Sequence, residues 1–324
     1  MDTISSNILV YRHISEPAKE ILQYIDDRRK GISESLRTKW KKFNRLCMGG
    51  IEPNALYTIA GISGSGKSSF VSSLESDLFD LNPNGNFIIL NFSFEMLSSR
   101  VVGRKISYKL KKTTNELYSG GAGKKLDEED LERINEVTQD IIKDNIYYID
   151  IPGSANEIKN TILHFMKNEA KGKWLIIILD HTLLTKGKAG DDERKTVSEL
   201  QYLFIELKKY GHTTIIQLSQ LNRDIESTER INNPSMHYPM RKDIFASDSI
   251  FQSSDYIIVL HRPELIHISL YGPKSLPTQN LIYAHIIKNR EGDIGIISFE
   301  NNLKYNRIDE IDIKKEQSQL LLPI

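Results

Sequence analysis

Cysteine is nearly missing from these 324 residues: Cys47 stands alone. No disulfide can close within the chain, zinc sites built from several thiolates are excluded, and a reducing cytosol is the expected compartment. A surplus of either charge is missing too. Lys and Arg number 43 against 43 Asp and Glu. That balance disfavours a broad basic surface wrapped by nucleic acid, but it leaves room for a narrow cationic channel, because binding depends on local charge. No apolar run approaches the ~20 residues that span a bilayer, so no membrane is expected. Residues 1–13 lack the basic start and apolar stretch of a secretion signal.

Hydrophobic residues at 39% and charged residues at 27% fit a folded, globular chain. Its length suits roughly two domains, or one α/β domain with a small appendage, and allows a large core without staples. Residues 14–30 predict a short amphipathic helix. Ile14, Ala18, Ile21, Leu22 and Ile25 recur at helical spacing, with Ser15 as the expected N-cap and Pro17 in the first turn. Such a helix has no core of its own, so its apolar stripe docks either on its own domain or on a neighbouring subunit.

From residue 55 onward, short apolar runs alternate with helical patterns. The runs fall at 55–60, 87–92, 146–151, 174–179, 213–218, 256–260, 283–287 and 294–299, and the helical patterns at 67–80, 95–111, 127–143, 155–170 and 192–210. This alternation predicts βαβ units and a mostly parallel central sheet with helices on both faces. The last two runs, joined by a turn at 289–293, predict a C-terminal β-hairpin at the sheet edge. Residues 119–126 and 222–242 read as loops, the second long enough to be functional.

Chemistry concentrates at Gly61-Ile62-Ser63-Gly64-Ser65-Gly66-Lys67-Ser68, a full G-x-x-x-x-G-K-[ST] match between a predicted strand and a predicted helix. The glycines let successive N–H groups turn inward as an anion nest, and the helix N-terminus adds partial positive charge. Lys67 supplies a full charge for the β- and γ-phosphates, and Ser68 a hydroxyl for Mg²⁺. A chance match in a Gly/Ser-rich turn would lack the flanking strand and helix.

Four further segments end on polar residues. The apolar run 175–179 stops at Asp180, placing a carboxylate at the carboxyl end of a parallel strand, where it can hold Mg²⁺ through water. Glu95 follows the run 87–92. It either polarises the attacking water or merely complements a helix dipole, and spacing alone does not choose. Gln220 closes another strand, as a γ-phosphate sensor or as a plain turn residue. Lys288 and Arg290 sit in the hairpin turn, either solvated or reaching a neighbour's nucleotide as an arginine finger does.

Taken in order, these segments resemble the C-terminal RecA-like ATPase domain of DnaB-type replicative DNA helicases. The residues that carry this are Trp40-Lys41-Lys42-Phe43 through Gly49-Gly50-Ile51, the phosphate loop, and Ser93-Phe94-Glu95-Met96 with Arg104. Asp180, Ser219-Gln220-Leu221-Asn222-Arg223, Asp255-Tyr256-Ile257-Ile258 with Arg262, and Lys288-Asn289-Arg290-Glu291-Gly292 followed by Gly295 complete the set. Order and spacing agree over roughly residues 35–308.

The resemblance implies a RecA-like P-loop NTPase over residues 35–324, preceded by an N-terminal segment, 1–34, that holds a linker-type helix packing on the adjacent subunit. It implies a ring, a hexamer, with ATP and Mg²⁺ between subunits, moving 5′ to 3′ on single-stranded DNA in a bacterial or phage-infected cell. Gly61, Ser63, Gly64, Ser65, Gly66, Lys67, Ser68, Ser69, Arg104 and Asp180 would hold the nucleotide, with Ser68 and Asp180 on the metal. Glu95 would activate water, Gln220 would line the site, and Lys288 and Arg290 would act in trans. Arg223, Arg241, Lys242, Ser247 and Ser249 form the DNA-contacting set.

Departures from the family are specific. His181 stands where an aromatic often follows the acid at the end of that strand. Phe245-Ala246-Ser247-Asp248 replaces the usual Arg-Glu-Ser-Gly of the DNA-backbone loop, so Arg241 and Lys242 just upstream become the replacement cations. With about 35 residues before the core, no counterpart of the family's separate N-terminal helical domain is expected, nor docking of a primase or helicase loader through it. The competing functions are a RecA-like DNA-binding ATPase that does not unwind and a regulatory ATPase that binds protein. A small-molecule kinase does not explain the motifs after residue 90.

Overall fold

The computed structural model describes residues 11–32, 35–118, 126–187 and 192–311. Of the loop expected at 119–126, residues 119–125 lie outside the described residues. The chain divides into two units, Met1–Ser35 and Leu36–Ile324.

The described part of the first unit contains α1, Ser15–Arg29. Its start corrects the expected cap: Ile14 occupies the N-cap position without a side-chain capping bond, and Ser15 is already helical. The Ser15 hydroxyl lies instead 2.9 Å from His13 Nδ1. Exposed pairs at helical spacing, Arg12–Glu16 at 3.1 Å and Arg29–Asp26 at 2.9 Å, run along the helix. No residue of α1 is buried, and Ile14, Ile21, Leu22 and Ile25 remain exposed.

The second unit opens with α2 (Lys41–Leu46), β1 (Leu56–Gly61), α3 (Lys67–Leu81), β2 (Phe87–Ser93), α4 (Ser98–Leu110), α5 (Thr114–Tyr118) and α6 (Glu128–Ile141). Next come β3 (Ile146–Ile149), α7 (Ala155–Lys167), β4 (Trp174–Asp180), α8 (Glu193–Leu207), β5 (Thr213–Gln220), α9 (Thr228–Asn232) and α10 (Ser247–Ser253). The chain then runs through β6 (Tyr256–His261), the small pair β7 (Leu270–Tyr271) and β8 (Leu276–Pro277), β9 (Leu281–Asn289), β10 (Gly295–Asn302) and β11 (Arg307–Glu310).

Nine strands form one sheet in the order β11-β10-β9-β6-β1-β5-β4-β2-β3. The six from β6 to β3 are parallel, and β9, β10 and β11 are antiparallel. Each central strand feeds two cores. β4 sends Ile176 and Ile178 to the face covered by α2 and α3, and Leu175, Ile177 and Leu179 to the face covered by α7 and α8. Near-continuous apolar runs are what a sheet buried on both faces requires. The lead-in segment is tied to the far edge of the sheet. Trp40 stacks on Phe70 at 4.3 Å, and its Nε1–H donates to the Ile308 carbonyl at 2.9 Å.

Three details differ from expectation. The hairpin β9–β10 is not the edge, because β11 pairs beyond β10. Arg307–Glu310 is short and charged and carries no apolar alternation for a sequence pattern to catch. Residues 222–242 are not an irregular loop but a chain of short helical turns around α9. They are held by a buried cation that the composition of the stretch concealed. Arg230 pairs with buried Asp243 and donates to the carbonyls of Met236 and Tyr238, each at 3.0 Å. Finally, α4 begins at Ser98, three residues after Glu95.

Candidate active site

The phosphate loop joins β1 to α3, as its spacing requires. Gly61 permits a close approach: a Cβ there would lie 2.2 Å from the Ser65 hydroxyl and 2.7 Å from the Leu260 carbonyl. Gly66, at φ +99°, adopts the left-handed conformation that opens α3. The Lys67 ammonium rests on the carbonyls of Gly61 and Ile62 at 2.8 and 3.0 Å. Ser63 and Gly64 are exposed at the crest, and Ser69 is half-buried in the first turn of α3. The Ser65 hydroxyl is buried with no hydrogen-bond partner. A nest of N–H groups, a helix N-terminus, an ammonium and an unpartnered hydroxyl fit a triphosphate.

Parallel strands bring the acids to the same edge. Asp180 ends β4, and its Oδ2 accepts from the Ser68 hydroxyl at 3.2 Å, the pair expected to share a divalent cation. Burial, with the charge of Glu95 adding to it, pushes the Asp180 carboxyl up to about 6, while Ser68, Lys67 and Arg104 pull it down. Burial likewise lowers the Lys67 ammonium, against the attraction of Asp180 and Glu95. A buried carboxylate held beside the Ser68 hydroxyl, with a second carboxylate close by, suits a bound divalent cation. The Asp180–His181 peptide is cis, and His181 is buried.

Glu95 lies outside α4, whose first N–H is met by another carboxylate. This is Asp150, which accepts from the Ser98 N–H and from the Ser98 hydroxyl, both at 3.0 Å. Glu95 is exposed and near enough to act electrostatically on Asp180, Lys67 and His181. Gln220 pairs in register with Gly61, the first residue of the phosphate loop, and its carbonyl accepts from Phe245 N at 3.1 Å. Both ends of the 221–244 segment therefore start beside the nucleotide loop, joined by the Leu221–Ile244 bridge.

Lys288 and Arg290 are not brought to this edge. β9 runs antiparallel to β6, so its last residues lie beside Tyr256 and Asp255, at the amino-terminal end of the parallel strands. The six residues of β1 put roughly 17 Å, at ~3.3 Å per residue, between that end and the phosphate loop. The Arg290 guanidinium stands 3.4 Å from Asp255 and is half exposed. The Lys288 ammonium meets the Phe251 carbonyl and lies 5.0 Å above the Phe251 ring. Burial lowers the Lys288 ammonium, and the charges of Arg290, Lys208 and Arg241 push the same way against the attraction of Asp255.

The expected DNA-contacting cations are exposed but engaged. Arg241 pairs with Asp248 at 2.7 Å and lies 4.7 Å over the Phe251 ring, and Lys242 pairs with Asp224 at 3.3 Å. Arg223 is exposed, and the Ser249 hydroxyl donates to the Ala246 carbonyl at 3.2 Å. The side chain of Ser247 lies outside the described residues. Asp255 and Asp150 carry roles that no spacing rule singles out, since each acts across the sheet on a distant segment.

The family described as DnaB-like helicase C-terminal domain matches residues 35–310. The chain is 25% identical over 287 residues to replicative DNA helicase DnaC of Bacillus subtilis (strain 168), covering 88% of this chain and 58% of that protein. It is 23% identical over 295 residues to replicative DNA helicase DnaB of Geobacillus stearothermophilus, covering 90% and 60%. The chain thus spans about three-fifths of the length of these relatives. A DnaB-like replicative helicase, solved in a study of its interactions with primase, superposes with a TM-score of 0.75 at 20% identity, covering 93% of this chain and 69% of that one. A solved ATPase domain superposes with a TM-score of 0.74, also at 20% identity, covering 91% and 98%. At that identity the likeness establishes the RecA-like fold.

Proposed function

The chain belongs to the family of DnaB-like helicase C-terminal domains, and from that premise we propose that it hydrolyses ATP at the interface between subunits of a ring and uses the cycle to move along single-stranded DNA. One observation carries this reading. The phosphate loop, Asp180, Glu95 and Gln220 lie at the carboxyl edge of the sheet, and Arg290 and Lys288 at the opposite edge. No subunit can bring its own Arg290 to its own nucleotide, whereas a head-to-tail neighbour can.

The chemistry follows from the charges. Lys67 and the loop N–H groups hold the β- and γ-phosphates. Ser68 and Asp180 would hold Mg²⁺, which would supply positive charge at the phosphates. Glu95 takes the proton of the attacking water, the bond from the γ-phosphorus to the bridging oxygen breaks, and ADP and phosphate leave. Arg290 and Lys288 of the neighbour stabilise the charge on the transferring group. Gln220, joined to the loop that carries Arg223, Arg241 and Lys242, passes the loss of phosphate to the DNA-facing turns. The exposed apolar stripe of α1 is read as a docking surface for an adjacent subunit.

ATP turnover with and without single-stranded DNA tests this reading. Wild type should be stimulated, Lys67→Ala and Arg290→Ala should each lose ~10²-fold or more, and mixing the two variants should restore part of the activity through interfaces that join the intact phosphate loop of one to the intact Arg290 of the other. Turnover indifferent to DNA, or no complementation, would sink it. A second reading, a RecA-like ATPase that binds DNA without unwinding, is favoured by the pairing of Arg241 and Lys242 with carboxylates. Open filaments rather than closed rings in electron micrographs with an ATP analogue would support it. A primase or loader partner and a bacterial or phage-infected cytoplasm belong to the same proposal.

A further inference from the structure

Asp255 is connected twice to Arg290 and twice to Leu56. The Arg290 N–H donates to the Asp255 carbonyl at 3.0 Å, and the Arg290 Nε lies 3.4 Å from Asp255 Oδ1. On its other side, the Asp255 N–H donates to the Leu56 carbonyl at 2.8 Å, and the Leu56 N–H donates to Asp255 Oδ2 at 2.8 Å. Leu56 is the first residue of β1, the strand that ends in Gly61 of the phosphate loop. Lys208, from the residue after α8, takes Oδ2 as well, at 2.6 Å, and both members of that pair are largely buried.

The arrangement is asymmetric. Oδ2 is occupied by a backbone N–H and an ammonium, which hold the carboxylate in place. Oδ1 faces the half-exposed guanidinium at the longer distance of 3.4 Å. One carboxylate is shared among Lys208 and Arg290, with Lys288 close enough to feel all three. The guanidinium is thus oriented without being neutralised, and its charge remains available to an anion arriving from outside the subunit.

We propose that Asp255 is the positioning residue for Arg290, aiming that cation at a neighbour's triphosphate while tying it to the root of its own subunit's phosphate-loop strand. The proposal rests on the inter-subunit reading above. It assigns Asp255 no contact with nucleotide; the residue acts through Arg290.

A double-mutant cycle tests it with Asp255→Asn, Arg290→Ala and the pair. Asn keeps an acceptor for the Leu56 N–H and removes the charge. Expected is a fall in DNA-stimulated turnover of roughly tenfold to a hundredfold, the scale of an ångström-level misplacement. KM and the affinity for a fluorescent ATP analogue should stay within about twofold, with no further loss when Asp255→Asn is added to Arg290→Ala. The protein concentration needed for assembly with a non-hydrolysable analogue should rise in both single variants.

A merely structural Asp255 would instead weaken analogue binding through β1 and add its loss to that of Arg290→Ala. Either result overturns the proposal, as does wild-type turnover in Asp255→Asn. If Asp255→Asn does not fold, Asp255→Glu, which keeps the charge and moves it by one methylene, enters the same cycle with the same outcomes. Full turnover in Arg290→Ala alone would sink the inter-subunit reading itself. An inactive Arg290→Ala beside a normal Asp255→Asn sinks only the role of Asp255.

Discussion

The two edges of the sheet hold their charges differently. At the carboxyl edge, Asp180 and Glu95 face Lys67 and Arg104, and burial with the Glu95 charge drives Asp180 up to about 6. At the amino edge, Lys208, Lys288 and Arg290 gather around Asp255, with Glu52 and Glu291 also close to Tyr256. One edge buries its acid and its ammonium around the phosphate loop, and the other keeps a half-exposed guanidinium where no phosphate loop exists. The placement of these groups at opposite ends of one sheet is what motivates the proposal that the catalytic unit is a pair of chains.

The comparison breaks most visibly at Arg290. Arg290→Ala should lower turnover by ~10³-fold or more, the scale of an arginine finger, without changing the thermal melt of the chain. A loss below about tenfold would mean that the amino edge is not catalytic. Lys67→Ala should cost ~10²-fold or more at the other edge. Unlike Arg290→Ala, it should also weaken binding of a fluorescent ATP analogue, and equal binding in both variants would erase the distinction between the edges.

A smaller effect separates both edges from the segment between them. Arg230→Met removes one partner of a buried ion pair and should destabilise the fold by about 3–5 kcal/mol, read as a melting point lower by roughly 10 °C. Nucleotide affinity measured below the transition should be unchanged, because Arg230 braces the 222–243 turns and not the phosphate loop. Loss of nucleotide binding in the folded variant would show that the segment and the loop are one unit.

Acid should act on a second buried polar cluster. His261 and His285 flank the Tyr271 hydroxyl at 2.6 and 2.8 Å, and burial holds each imidazole down to about 3, against 6.5 when unperturbed. In the fold both are neutral, while the unfolded chain takes up their protons below pH ~6.5. The unfolded state therefore binds more protons, and this contribution to stability is complete above pH ~6.5 and shrinks as pH falls toward 3. Denaturant unfolding at pH 7.5, 6 and 5 should give falling midpoints, and His285→Gln should flatten the slope.

The smallest effect is expected at the surface. Arg241–Asp248 is an exposed pair, worth about 0–1 kcal/mol, weak enough for a DNA phosphate to displace. Asp248→Ala should tighten single-stranded DNA by no more than about fivefold and steepen the salt dependence. No change in either would remove Arg241 from the DNA-facing set.

Much of this was legible residue by residue. The phosphate loop needed only its spacing, because glycines, lysine and serine must lie in that order to form a nest. The runs at 87–92, 174–179 and 213–218 predicted buried strands, because a strand covered on both faces must be apolar throughout. Glu95 was ambiguous by spacing, and Asp150, which meets the N-terminus of α4, was hidden because it comes from the end of another strand. Arg230 was hidden because a cation in a polar stretch looks solvated until Asp243 closes on it. β11 was hidden because four residues carry too little periodicity.

By itself, the sequence determined the local chemistry: which loop can seat phosphates, which strands are buried twice, and which turn carries Lys288 and Arg290. Only the tertiary structure decided which of these share an edge. Strand order and direction are set by long-range pairing, and that pairing put Gln220 beside Gly61 and carried Arg290 to the far end of the sheet, against Asp255.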